Sequence, residues 1–229
     1  MESQVRGGTR WKRFAVVMVP SVAATAAIGV ALAQGALAAS FSVSGQSFKV
    51  TADELHGQGF AQYGAIDPGY TLSGTKTAHP VAVSSFKSAT IKNLCQSVVT
   101  PNVPLFGSVV LRLEAGNSSD EKAQVSADHL YIDVQDLQTK DNGHEQGRAV
   151  FHGIDIGVAA GDTAEGKGGK GPGMKGGNEQ ASPYGFAQQA TSADLYGVQQ
   201  TAWATTAGTF TLPGLHMSLS TDPKTAECY

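Results

Sequence analysis

The stretch Val125-Ser-Ala-Asp-His-Leu-Tyr-Ile-Asp-Val134 decides the fold class. In it Leu130, Ile132 and Val134 alternate with His129, Tyr131 and Asp133. A period of two puts the apolar set on one face of an extended chain, where branched side chains pack well on the pleat. Working outward, Val109, Leu111 and Leu113 repeat the pattern, as do Ile154, Ile156 and Val158. Phe41 with Val43, Phe48 with Val50, Phe210 with Leu212, and Leu215, Met217 and Leu219 follow it too. Gly, Asn, Asp and Pro punctuate these runs, which is how strands are bounded. Only residues 186–200 leave room for a short helix. The pattern predicts an all-β fold, a sandwich or wrapped β-prism built from divergent strand–turn–strand units after an N-terminal signal helix.

Those units show as a weak internal repeat. Val50-Thr-Ala-Asp-Glu-Leu55 matches Val125-Ser-Ala-Asp-His-Leu130, and Thr191-Ser-Ala-Asp-Leu195 is one residue shorter. Each is followed by a second shared element, at 89–94, 149–154 and 208–215. Ala-Asp before an apolar residue predicts a tight corner, with Asp bonding nearby amides.

The N-terminus has its own composition. Arg6, Arg10, Lys12 and Arg13 precede an apolar run from Phe14 to Ala33, and Ala36-Leu-Ala38-Ala39 follows as a small-x-small cleavage pattern. These are the three parts of a secretory signal, with cleavage expected near Ala38 or Ala39. The competing reading is an uncleaved membrane anchor, because the run is about long enough to span a bilayer. The division is therefore a signal over 1–38, a β-rich domain over 39–160, a Gly-rich flexible loop over 161–178, and the C-terminal part of the same domain over 179–229. The expected location is outside the cell or on the outer face of its envelope.

The 229 residues include 28 Gly and only 15% are charged. Beyond residue 38 there are 12 basic and 18 acidic residues, the wrong balance for nucleic acid. Leu, Ile, Val and Phe make up 39 of the remaining 191 residues, so the core is thin. Such a fold is filled by small residues and can leave an apolar groove. Cys95 and Cys228 are the two cysteines, and an even count in an exported chain predicts a disulfide between them.

Catalytic and cofactor motifs do not emerge. Gly161 to Gly166-Lys167 has phosphate-loop spacing, but Gly168 stands where Ser or Thr must hold magnesium. Gly45-Gln-Ser-Phe-Lys49 begins a nucleophile elbow, but Lys49 replaces its closing Gly. His129 and Asp133 fall on one strand face, near His144 and His152 in sequence, and read as a solvated face rather than metal ligands. Phe60, Tyr63, Tyr70 and Trp203 are candidates to line a ligand surface or to pack the core.

Ala39-Ser-Phe-x-Val-Ser-Gly45, Lys49-Val-Thr-Ala-Asp-Glu-Leu-x-Gly-x-Gly-Phe60, Ala89-Thr-Ile-Lys-Asn-Leu-Cys-Gln-Ser-Val98 and the stretch from Ala127 to Ile156 carry a resemblance. They resemble a family of secreted actinobacterial, Streptomyces-type proteins of unknown function, sometimes labelled cholesterol esterase. The resemblance implies an envelope role beside multi-pass membrane proteins and brings no catalytic motif. The function expected is a non-catalytic β protein that binds an apolar, lipid-like ligand or an envelope membrane protein. The alternatives are a lipid or sterol esterase with an atypical site and a structural surface protein.

Overall fold

The computed structural model describes residues 43–164, 171, 173–174 and 180–229. The expected signal and its cleavage point at Ala38 and Ala39 lie outside the described residues. The strands are β1 (Phe48–Tyr70), β2 (Lys76–Lys92), β3 (Leu94–Val103), β4 (Gly107–Ala115), β5 (Val125–Thr139), β6 (Arg148–His152), β7 (Asp155–Ala159), β8 (Phe186–Thr206), β9 (Thr209–Thr211) and β10 (His216–Ser220). A one-turn helix, α1 (Pro223–Ala226), follows. The fold is all-β, as the alternation predicts.

These strands are segments of four long antiparallel passes. β1 is the first, β2 with β3 the second, β4 through β7 the third, and β8 through β10 the fourth. β8 then returns to pair with β1 from Phe48 to Tyr63, so a single sheet wraps and closes on itself. The closure is strongly staggered. Gly57 pairs directly with Ala193, yet the path through Ala89 and Ala127 reaches Phe210, 17 residues further along. Stagger of this kind tilts strands steeply around a closed sheet.

The helix expected within 186–200 is strand throughout. Ala187, Ala190 and Ala193 are buried at a helix-like spacing of three, but β8 has partners on both edges that take up its backbone groups. The tight corners expected at Ala-Asp are also strand interior. Ala52 and Leu55 are both buried, as are Ala127 and Leu130. In a period-two strand an odd spacing swaps the buried face. His129 makes one such swap at φ 50, and Gly197 makes another at φ 64 between buried Leu195 and Val198. The repeat therefore marks places where long strands change face.

One row of the sheet explains the small residues. Ala193 pairs with Gly57, Gly57 with Ala89, and Ala89 with Ala127. The ring of Phe86 lies where a Gly57 side chain would be. Phe60 sits beside it, with centroids 5.5 Å from Phe86 and 5.1 Å from Phe151. These rings join Leu55, Leu130 and Leu195 in the main core. A second core gathers Tyr63, Val81, Val83 and Ala187, with Tyr131 and Trp203 against it. Ile132 and Tyr131 belong to different cores, so β5 is covered on both faces here. Within the Gly-rich segment, Thr163 and Met174 are buried, and Met174 packs into the second core.

Cys95 and Cys228 form a disulfide, with Cα atoms 5.9 Å apart. The tail it holds is also gripped by side chains. Arg112 donates to the carbonyls of Ala226 and Glu227, and Ser97 Oγ accepts from the Cys228 amide at 3.0 Å. Lys49 Nζ lies 3.0 Å from Glu227 and donates to the Tyr229 carbonyl.

Candidate functional site

One apolar space in the described core is small. The apolar space among Val50, Leu55, Leu94, Leu130, Val198 and Phe210 is about 30 Å³, roughly the share of one water in the liquid. Small-molecule pockets are about ten times larger. Phe60 and Tyr63, candidates for a ligand surface, are buried core residues.

Two polar clusters stand on the strands. In the first, His56 lies between two carboxylates, 2.9 Å from Asp194 at Nδ1 and 3.0 Å from Glu54 at Nε2. Lys92 bonds the other Glu54 oxygen at 2.6 Å, and His152 reaches Asp194 at 3.3 Å. Burial opposes charge on His56, but the hydrogen bonds and negative charges of Asp194 and Glu54 outweigh it and raise its pKa. Both ring nitrogens face carboxylates, so the protonated ring is the form that satisfies both contacts. Neither nitrogen is left to take a proton from a nucleophile.

The second cluster corrects the solvated face expected for His129 and Asp133. The positive φ at His129 separates the two, and Asp133 is half-buried against Asp67. Burial, then the charge of Asp67 and its hydrogen bond, push Asp133 up to about 8. Burial also raises Asp67, which accepts the Asp133 proton. His79 pairs with Asp67 across β1 and β2 and stacks on Trp203 with centroids 3.5 Å apart. One Asp67 oxygen and His79 Nε2 are buried without a hydrogen-bond partner. Among the described residues, no three His, Cys, Asp or Glu side chains converge as metal ligands.

An exposed apolar row lies at the edge of the sheet. Leu111 pairs with Leu219 and with Val98, and Leu113 pairs with Met217, forming a row across β3, β4 and β10 that continues the core-facing side, since Leu113 packs against the main core. Val110, between the two leucines, is fully buried on the opposite face. Leu219 is 72% and Met217 59% exposed. Among the described residues β10 pairs only with β4, so its second edge is open. The β3–β4 turn carries Leu105, fully exposed, and Phe106, 61% exposed. No charged residue occurs from Asn93 to Leu111, and from Leu195 to Thr221 there is no Asp, Glu, Lys or Arg. On the other face of β3 an open groove of about 320 Å³ is lined by Gln46, Leu72, Val99, Pro101 and Trp203, with Lys49 and Glu227 in its wall. The alternation over 109–113 and 215–219 was legible in the sequence, but the exposure of its apolar side was not.

A family of unknown function matches residues 44–229. The chain belongs to that family, DUF6230. The match takes in every described strand, both polar clusters and the exposed apolar row of this family member. No curated protein and no solved structure matches the chain.

Proposed function

We propose that this DUF6230 protein is a secreted or envelope-associated binding protein without a catalytic role, which holds an apolar partner on its outer surface. The single observation that carries this is the exposed apolar row of Val98, Leu111, Met217 and Leu219 on β3, β4 and β10, beside exposed Leu105 and Phe106. Contiguous exposed apolar patches mark interaction sites. The resemblance to secreted actinobacterial proteins supports an envelope setting, with a lipid or a membrane protein as partner. The esterase label of that group finds no support at His56, whose two nitrogens are occupied.

The open edge of β10 favours a second reading, a structural surface protein that pairs with its own kind. A photo-crosslinker at Leu219, in the full chain in its native envelope, separates the two. The expected product is an adduct with lipid or with a membrane protein, reduced several-fold by Phe106→Asp. A crosslinked homodimer instead supports self-assembly, and the absence of any adduct counts against both readings.

A further inference from the structure

We propose that the end of the molecule carrying the β3–β4 turn docks on a lipid bilayer, with Leu105 and Phe106 entering its apolar layer. This rests on the surface reading above and names the occupant of that surface.

The turn has the chemistry for it. Leu105 is held at φ 71 with its side chain fully exposed, and the Phe106 amide bonds the Val103 carbonyl at 3.1 Å. Backbone entering an apolar layer must satisfy its own polar groups, and this bond satisfies one at the tip. Entry also requires no charge to be stripped of water, because Asn93 to Leu111 contains none.

The path of the chain favours a bilayer over a protein partner. Gln46 Nε2 donates to the Val99 carbonyl at 2.6 Å, and Val43 bridges to Gly69. Gly45 packs against the backbone of Tyr70, Thr71 and Leu72, the exposed tip of the β1–β2 hairpin. The N-terminal segment therefore joins the domain beside Leu72, Val99 and Pro101, on the strand leading to Leu105. The apolar run ends at Ala33, ten residues before Val43. Ten residues reach at most about 35 Å. While that run lies in a membrane as a retained anchor, this end of the domain is kept within about 35 Å of the same membrane. Lys76, opposite Tyr70, is placed for anionic headgroups.

The test uses the full chain reconstituted in vesicles of phosphatidylcholine and phosphatidylglycerol with brominated acyl chains. In a Trp11→Phe, Trp203→Phe background, Phe106→Trp reports the turn. His144→Trp reports the opposite end of β3, because its neighbour Asn142 bonds Asp53, which also holds Asn93. Bromolipid quenching several-fold stronger at 106 than at 144 is the expected result. Equal quenching, or none at 106, overturns the proposal. If Phe106→Trp fails to form the disulfide, amide exchange in the unsubstituted chain on the same vesicles replaces it. Protection over 103–107 beyond that of 141–145 is then expected, and its absence overturns the proposal. A crosslink from residue 106 to a membrane protein or a second copy, without bromolipid quenching, overturns the bilayer as occupant and leaves the surface reading standing. Loss of both signals removes both.

Discussion

Asp67 and Asp133 share a proton because a buried and a half-buried carboxylate in contact resist a second charge. The ordinary Asp value is 3.8, and Asp133 is raised to about 8. Between those values the folded chain keeps a proton that the unfolded chain has lost. Stability therefore falls as pH rises through that window and levels off above it. Asp133→Asn keeps a donor for Asp67 and cannot ionise. Its melting temperature is expected to vary less across the window and to exceed the parent's on the alkaline side. Parallel melting curves for the two chains would refute the shared proton. Gly57 supports a second prediction at this scale. A side chain there meets the Phe86 ring, so Gly57→Val is expected to cost about 1–3 kcal/mol by overpacking. Chemical denaturation measures it, and Gly64→Ala, where a Cβ meets nothing within 4 Å, is the control. The excess of Gly was visible in the composition, but which glycines face a ring was not, because Phe86 lies 29 residues away.

At the scale of elements, the C-terminal tail depends on one covalent bond and a few polar grips. The disulfide spans 133 residues, and by chain-entropy reasoning its closure is worth about 4–5 kcal/mol. Cys95→Ser with Cys228→Ser is expected to lower stability by up to that amount. The same change is expected to expose residues 223–229 to proteolysis before the sheet unfolds, because Arg112, Ser97 and Lys49 then hold the tail by polar contacts. Limited digestion with mass spectrometry reads this directly. A tail that stays protected would show that the polar grips suffice. The pairing of these cysteines was legible from their number and the export signal. Most strands were legible too, because Val109 to Leu113 and Leu130 to Val134 keep an uninterrupted period of two. β8 was not, because its Ala, Gln, Ser and Thr residues have little intrinsic preference and neighbouring strands fix their state.

For the whole molecule, the sequence by itself determined the all-β class and the single covalent link, and it predicts export. Those properties depend on local alternation, on counting two cysteines and on the order of charge and apolar run at the N-terminus. It also held the face-switching points, written as Ala-Asp three residues from a Leu, although their meaning read as corners. Only the tertiary structure decided that four passes close with a 17-residue stagger. Register and closure depend on partners far apart in sequence, such as Leu55 with Leu195. The same long-range pairing buries Asp133 against Asp67. It also leaves Leu111, Met217 and Leu219 exposed beside Leu105 and Phe106, because alternation specifies that one side is apolar while the wrapping of the sheet decides how much of that side meets water.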